Sequence, residues 1–211
     1  MSATASLYRL FADVYLFPEA NRIQSFISGE LQRNFEKLAG AAGFQFDPSY
    51  SLILDTTSEV FESEFIALHE VGMGGAPCAL HSGHYMRDRS KTMEEVLRFY
   101  RFFHFKHEST TDHFPDHLSK ELKFMAHLEG QFGAAELSDG DFLSPLLAQR
   151  DFITRNLNSW VGELAAFIEN RSSISFNKET GHLLVEFVTY ETQRLNQLAD
   201  QFTESPEEYK A

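Results

Sequence analysis

The chain has 211 residues, 43% of them hydrophobic, and a net charge of −13 from 18 basic and 31 acidic side chains. This length and composition suit one large domain with a substantial core, or two small ones, and we expect one. A negative charge of this size repels nucleic acid and anionic lipid and favours basic partners. The composition therefore argues against nucleic-acid binding.

Cys78 is the only cysteine in the chain. One cysteine excludes an internal disulfide, a four-cysteine zinc site and a cysteine-ligated cluster within one chain, so a reducing cytoplasm fits best. Residues 1–16 contain neither a long apolar run nor a basic lead-in, and we expect no secretory signal and no membrane span. The sequence thus predicts a soluble, cytoplasmic protein.

Apolar residues recur at helical spacing through the N-terminal third of the chain. The first stripe covers residues 7–15 and ends before Pro18, whose ring and missing N–H interrupt a helix. The same period continues over residues 23–38 and stops at Gly40. A further stripe over residues 52–68 predicts another long helix.

The helical pattern stops between residues 72 and 90, where glycine and proline recur. Such a loop is the best candidate for a functional segment. Ser90 can cap the helix that follows it, and Thr92 with Glu95 offers an alternative capping box.

The C-terminal half also has helical periodicity. Ser144 and Pro145 signal a helix start, and the apolar positions that follow up to residue 168 indicate one broken helix or two. A last stripe covers residues 183–198. No alternation of period two competes, and residues 174–176 are too few to found a sheet, so the expected fold class is all-α.

Pro115-Asp116-His117-Leu118 is the most informative stretch, because a polar pair opens an apolar helix that continues through Glu121. Proline's fixed backbone angle and missing donor make a rigid entry into a helix. A carboxylate at or near the helix start suits an N-cap, whereas the neighbouring His117 favours a recognition surface. Both interpretations stay open from the residues alone.

Other candidates lie in and before the loop. Phe65 and Leu68 are expected in the core and Glu64 in solvent, with direct contact to a partner as the alternative. Tyr85 is suited to packing on a peptide while its hydroxyl stays wet.

Nine histidines invite a metal hypothesis. Three pairs are closely spaced: His81 with His84, His104 with His107, and His113 with His117. Spacing alone is weak support, because the first pair lies in the glycine-rich loop and a proline interrupts the last. We expect no metal and no other cofactor.

Three segments carry a resemblance to a known family: Leu7-Tyr8-Arg9-Leu10-Phe11, Glu64-Phe65 before the loop that ends in Tyr85, and Pro115-Asp116-His117-Leu118 with Glu121, Phe124 and Met125. Together they resemble the TorD/DmsD/NarJ family. Its members are cytoplasmic, all-helical chaperones that bind the twin-arginine leader of a molybdenum enzyme and hold the apoenzyme until molybdopterin is inserted. We expect one helical domain over residues 1–203 with a glycine-rich loop at about 72–90, and the resemblance implies a hinge at about 111–118. Residues 204–211 are acidic and lack an apolar stripe, so we expect a disordered tail there.

The resemblance also implies a partner and a binding site. The partner is the twin-arginine leader and apo form of a molybdoenzyme catalytic subunit. The chain is expected to be a monomer or a helix-swapped dimer, and it is not expected to be an enzyme. Asp116 and His117 inherit a role in leader binding. The full set of candidate signal-peptide-binding residues is Asp116, His117, Tyr85, Pro115, Glu121, Glu64, Phe65 and Leu68.

Two departures from the family pattern bear on the client. Phe114 stands where many members carry glutamate, and Leu80 and His81 stand where they carry a proline and an aromatic residue. The loop is similar to that of a branch serving periplasmic dehydrogenases or oxyanion reductases of the dimethyl sulfoxide reductase superfamily.

Two other classes of protein compete with this interpretation. A metal-dependent helical hydrolase of the His-Asp type also gathers histidine and aspartate on helices, but Asp112-His113 and Asp116-His117 reverse its dipeptide. A helical interaction module with an unrelated partner is the other alternative. Excess carboxylates and abundant phenylalanine nevertheless complement a leader that offers two guanidinium groups and an apolar stretch.

Overall fold

The computed structural model describes residues 2–72, 75–106, 114–138 and 140–203. The helices in these ranges are α1 (Ala3–Val14), α2 (Ala20–Ile27), α3 (Glu30–Ala42), α4 (Ser58–His69), α5 (Arg89–Phe102), α6 (Leu118–Leu137), α7 (Leu143–Phe152), α8 (Asn158–Arg171) and α9 (Ser175–Thr203). A 3-10 turn covers Ser82–His84 and a π-helical turn covers Ile153–Leu157. The predicted all-α helical bundle is confirmed.

Helices α1 and α6 lie at the centre of the bundle. Helix α1 packs along α6 and α3, α7 packs against α6 and α9, and α8 runs along α9. Aromatic rings fill the spaces between them: Phe11 contacts Phe187 with ring centroids 5.2 Å apart and Phe35 at 5.7 Å. Each buried ring of this kind contributes about 1.5–3 kcal/mol by leaving water. The phenylalanine-rich composition is therefore largely a property of the core.

A buried ionic cluster joins the first helix to the last. Tyr8 donates its hydroxyl to Glu191 at 3.0 Å, and Arg194 donates to Glu191 at 2.7 Å and to Glu129 of α6 at 3.2 Å. Ser2, the N-cap of α1, donates to the same Glu129 at 3.1 Å. Each buried charge thus has a partner, as charges in a low-dielectric interior require.

Two of the predicted helices in the N-terminal third are wrong in extent. The stripe over residues 23–38 is divided between α2 and α3 at Gly29, which has φ +69° and occupies the left-handed region that favours glycine. The stripe over residues 52–68 is helical only from Ser58, because Thr57 caps α4 there. Before that cap the chain is extended, and the alternating Leu52 and Leu54 point into the core.

Helix starts in the second half also differ in detail from the sequence analysis. Asp88 caps α5 by accepting from the Lys91 N–H at 3.1 Å, so neither Ser90 nor the Thr92 box is the cap. Helix α7 begins one residue before Ser144. The expectation of one broken helix or two is confirmed by the π-helical turn between α7 and α8.

Within the described ranges, no helix combines the length and the apolar character needed to cross a bilayer. The acidic tail at 204–211, residues 73 and 74 of the glycine-rich loop and residues 111–113 of the expected hinge lie outside those ranges.

Candidate functional site

Asp116 fastens the loop after α4 to the start of α6. Its side chain is fully buried and accepts from the Gly83 N–H at 3.2 Å, and it pairs with His81 Nδ1 at 3.2 Å. The backbone continues the attachment, because Ser82 N–H donates to the Asp116 carbonyl at 2.9 Å. Burial opposes ionisation, but the His81 and Gly83 contacts outweigh it and hold the pKa of Asp116 below its usual value.

The helix cap is His117 and not Asp116. His117 Nδ1 accepts from the Ser119 N–H at 3.2 Å, and the residue is only 3% exposed. Asp116 turns back towards the loop because Gly83 leaves room for it. A Cβ at Gly83 would lie 2.8 Å from Asp116 Oδ2 and 2.5 Å from Arg89 Cγ. The interpretation of Asp116 as an N-cap is therefore wrong.

Pro115 contacts the bundle through its carbonyl, which accepts from the Tyr100 hydroxyl at 3.0 Å. It precedes the first residue of α6, Leu118, by three positions, so the proline leads to the cap rather than into the helix itself.

Glu121 is a second buried carboxyl, one turn further along α6. It accepts from the Ser82 hydroxyl at 2.8 Å and from the Trp160 indole N–H at 3.3 Å. Burial raises the pKa of Glu121 to about 8 despite these hydrogen bonds. The loop, α6 and α8 are thereby joined at one side chain.

Tyr85 completes this arrangement on the outer side of Trp160. The two rings stack with centroids 5.1 Å apart, and the Tyr85 hydroxyl donates to the Ala79 carbonyl at 2.9 Å. The expectation of a solvated hydroxyl is wrong, because that group closes the loop on itself. Tyr85 remains partly exposed along its ring.

Glu64 binds the turn between α8 and α9. Its carboxylate accepts from the Ser173 and Ile174 N–H groups and from Asn177 Nδ2 at 3.1–3.3 Å, with the hydroxyls of Ser172 and Ser173 also in contact. Glu64 is thus partly exposed, as expected, but its carboxylate is held by hydrogen bonds rather than free in solvent. Phe65 and Leu68 are buried, as expected for core residues.

A groove of about 710 Å³ lies beside α4. Its walls are Glu59, Val60, Ser63, Glu64, Ala67, Leu68, Pro77 and Arg171. Residues 55–70 contain five acidic side chains and no lysine or arginine. The Arg171 guanidinium packs on the Phe167 ring at 4.8 Å, and that ring lies 6.0 Å from the Tyr85 ring. Two of these carboxylates, Glu59 and Glu64, line the groove on the α4 side, its lining also includes the Arg171 guanidinium, and the aromatic rings lie beyond Arg171.

The structure divides the candidate residues into two groups. Glu64 and Leu68 line the groove, and Tyr85 lies near its far wall. Asp116, His117 and Glu121 are buried around the start of α6 and Phe65 is buried under α4, whereas Pro115 before α6 is partly exposed. A second groove of about 700 Å³ between α1, α2 and α3 has mixed charge and contains none of the candidates.

Ser82, Gly83 and Trp160 also belong to this site, although no motif in the sequence marks them. A tryptophan in an apolar helix requires a hydrogen-bond acceptor for its indole N–H, and Glu121 on the apolar face of α6 is such an acceptor. Residue pattern alone does not pair two side chains 39 positions apart.

No set of three or more His, Cys, Asp or Glu side chains in the described part of the chain is arranged to hold a metal ion. His107 and His113, from two of the predicted pairs, lie outside those residues. His81 contacts His84 and His117 through its ring rather than through a shared ligand position.

Comparisons with known proteins agree on one class. Residues 28–166 match the nitrate reductase delta subunit family. The chain is 36% identical over 151 residues to the selenate reductase assembly chaperone protein of Thauera selenatis, covering 70% of this chain and 77% of that protein. It is 28% identical over 187 residues to the perchlorate reductase assembly chaperone protein of Dechloromonas aromatica, covering 82% and 81%.

A third relative and a solved structure extend these matches. The chlorate reductase assembly chaperone protein of Ideonella dechloratans is 36% identical over 114 residues, which are 53% of this chain and 58% of that protein. A crystal structure from Archaeoglobus fulgidus, described as a redox enzyme maturation protein, superposes with a TM-score of 0.53 at 17% identity, covering 88% of this chain and 93% of the other. At that identity the superposition shows the fold.

The bundle and these relatives define a helical assembly chaperone. The chain belongs to the nitrate reductase delta subunit family, which is the TorD/DmsD/NarJ family that its motifs resemble.

The Glu121 pKa generates a prediction that the only tryptophan of the chain can report. We expect Trp160 emission to change with a midpoint near pH 8, because Glu121 beside the indole then becomes charged. A carboxyl whose folded pKa is raised stabilises the fold most below its unfolded pKa, and this contribution declines as pH rises through the folded value. This contribution to the free energy of unfolding should therefore fall between about pH 4.5 and about pH 8 and level off above that pH.

Glu121→Gln is the matched control, since it keeps the size of the side chain and cannot ionise. Its Trp160 emission should show no transition near pH 8. A midpoint near pH 8 that persists in Glu121→Gln would assign the transition to another group.

The Glu64 contacts generate a second prediction. Burial opposes its charge, but hydrogen bonds from Ser172, Ser173 and Asn177 outweigh this and lower the pKa of Glu64. Its stabilisation is thus present above the unfolded pKa and is lost as pH falls through the lower folded value. Glu64→Gln should lower the free energy of unfolding by about 1–2 kcal/mol near neutral pH, measured by urea denaturation.

Glu62→Gln on the same helix is the matched control, because no hydrogen bond or ion pair in the described residues involves Glu62. Equal effects of the two substitutions would contradict a specific role for Glu64 in holding the α8–α9 turn.

Proposed function

We propose that this protein is a cytoplasmic maturation chaperone that binds the twin-arginine signal peptide and the apo form of a molybdoenzyme catalytic subunit. Binding delays export until the client has received its cofactor. The client is an oxidoreductase of the oxyanion reductase type, in line with the relatives that assemble selenate, chlorate and perchlorate reductases. Reversible sequestration needs no covalent step, and the protein is accordingly not an enzyme.

The groove beside α4 is the observation that carries this proposal. A twin-arginine leader presents two guanidinium groups followed by an apolar stretch. The groove presents the exposed Glu59 carboxylate, and Val60 (50% exposed) and Ala67 supply an apolar wall. Guanidinium and carboxylate form strong charge-assisted hydrogen bonds, while apolar contact adds affinity that salt does not screen.

Three candidate residues act at the groove itself. Glu64 contributes negative charge at its edge, although hydrogen bonds to the α8–α9 turn already occupy its carboxylate oxygens. Leu68 forms part of the floor, and the ring of Tyr85 packs against the peptide beyond Arg171. Glu59, next to them on α4, is the better placed carboxylate for a leader arginine.

The buried candidates act by positioning. Asp116, His117 and Glu121 fix the loop that carries Pro77 and Tyr85, so they determine the shape of the groove without touching the leader. Pro115 sets the entry to α6, and Phe65 supports α4 from the core.

Salt dependence tests the charged part of this recognition. We expect leader affinity, measured by calorimetry, to decline roughly three- to tenfold between about 0.05 M and about 0.5 M NaCl and then to persist, because apolar contacts remain. A leader in which both arginines are replaced by glutamine is the control and should show little salt dependence. An affinity for the native leader that is indifferent to salt would contradict charge recognition.

Substitution separates contact from positioning. Glu59→Gln should weaken leader binding about tenfold while the protein stays folded, because one charge-assisted contact is lost at an exposed position in the first turn of α4. Asp116→Asn combined with His117→Gln should also lower the affinity, because the loop is less well fixed, while the protein stays folded.

Glu136→Gln, an exposed carboxylate on α6 outside the groove, is the control for general loss of charge. Unchanged affinity in a folded Asp116/His117 double variant would count against their role. Equal weakening by Glu59→Gln and Glu136→Gln would count against the groove.

A further inference from the structure

Helix α5 and its flanking residues carry a positive net charge, whereas the chain as a whole is negative. Residues 87–106 contain six basic and three acidic side chains, a net charge of +3 in a protein whose total is −13. Residues 55–70, in the element before the loop, carry five acidic side chains and no lysine or arginine. Two neighbouring elements of one chain therefore present opposite charge.

The basic residues of α5 share the face opposite the core. Lys91, Arg98 and Arg101 fall, with Glu94 and Phe102, within about 100° of the helix circumference at 3.6 residues per turn. All five are exposed, whereas Val96 and Tyr100 on the other side are buried. We call these five residues the basic face of α5.

This face is not neutralised within the described part of the molecule. No ion pair there includes Lys91, Arg98 or Arg101, and the Glu95 carboxylate at the edge of the face pairs instead with Arg155 at 3.3 Å. Phe102 lies among these cations with 71% of its surface exposed. Phe102 follows Arg101 and lies one turn after Arg98, so an exposed aromatic ring adjoins two arginines. This is the composition of an interaction surface, where aromatic residues and arginine are enriched.

The charge of the basic face selects its partner. A twin-arginine leader is cationic and is repelled from this surface. The leader is therefore not the partner of the basic face. Nucleic acid is also disfavoured, because the remainder of the chain is strongly negative and repels a long polyanion. A short acidic protein segment with an apolar residue for Phe102 meets both constraints.

We propose that the basic face of α5 binds an acidic segment of the folded part of the client oxidoreductase, at a site separate from the leader groove. This rests on the proposed function for the identity of the partner. The groove beside α4 holds the cationic leader and α5 holds an anionic surface of the same client. Two weak contacts joined through one client raise the overall affinity by effective concentration.

A labelled helical peptide that carries glutamates and one phenylalanine tests the surface directly, with a glutamine version as the uncharged control. Arg98→Glu with Arg101→Glu should weaken binding of the glutamate peptide by about tenfold or more. Arg9→Glu with Lys37→Glu is the matched variant, since it makes the same change of charge at exposed positions on α1 and α3. Equal loss in both variants would overturn the proposal in favour of general charge attraction.

Two further measurements name the other occupants. A single-stranded oligonucleotide that binds the same face as tightly as the glutamate peptide would overturn the proposal in favour of a general anion site. A dimer in sedimentation velocity that Arg98→Glu with Arg101→Glu abolishes would make a second copy of the chain the occupant instead. Neither is expected.

Leader binding separates the failure of this proposal from that of the proposed function. The α5 variants should bind a twin-arginine leader as the unmodified protein does. Loss of peptide binding at α5 with intact leader binding supports two sites. A protein that binds the glutamate peptide through α5 but no leader overturns the proposed function and leaves the basic face in place.

Discussion

Two buried carboxyl groups at the start of α6 determine the shape of the candidate site. Asp116 and Glu121 lie in a low-dielectric interior, where an uncompensated polar group is costly. Their donors come from the loop after α4, through His81, Ser82 and Gly83, and from Trp160 of α8. These hydrogen bonds hold the loop against α6 and α8, and Pro77 of that loop lines the groove beside α4.

Helices were largely predictable from the sequence because an amphipathic stripe has a period that a single chain displays. Their interruptions were not, since Gly29 and the extended Leu52 and Leu54 continue an apolar pattern through a change of backbone conformation. The hydrogen-bond partners of Asp116 and Glu64 also could not be predicted from the sequence. Each depends on partners far along the chain, such as Ser172, 108 residues after Glu64, which no local pattern relates to it.

The resemblance to a family pointed to Asp116 and His117 as leader-binding residues without indicating whether either is accessible to a ligand. Asp116 and His117 stand in the motif, and both are buried. Under the proposed function, their effect on the leader passes through the backbone of the loop. Glu59 and the cations of α5, by contrast, lie outside the motifs that carry the resemblance and are exposed on surfaces of opposite charge. In this chain Asp116 and His117 of the motif are buried in the bundle, whereas the accessible charged side chains lie outside the motif.

The cluster of Tyr8, Glu191, Arg194 and Glu129 bears on how copies of the chain relate to one another. Its hydrogen bonds and ion pairs connect α1 to α9 and α9 to α6. If two molecules exchanged α9, each cluster would have to form again from side chains of both molecules. The exchange would preserve the interior only if each Arg194 guanidinium again paired with its two carboxylates. Any such helix-swapped dimer would therefore form slowly and dissociate slowly.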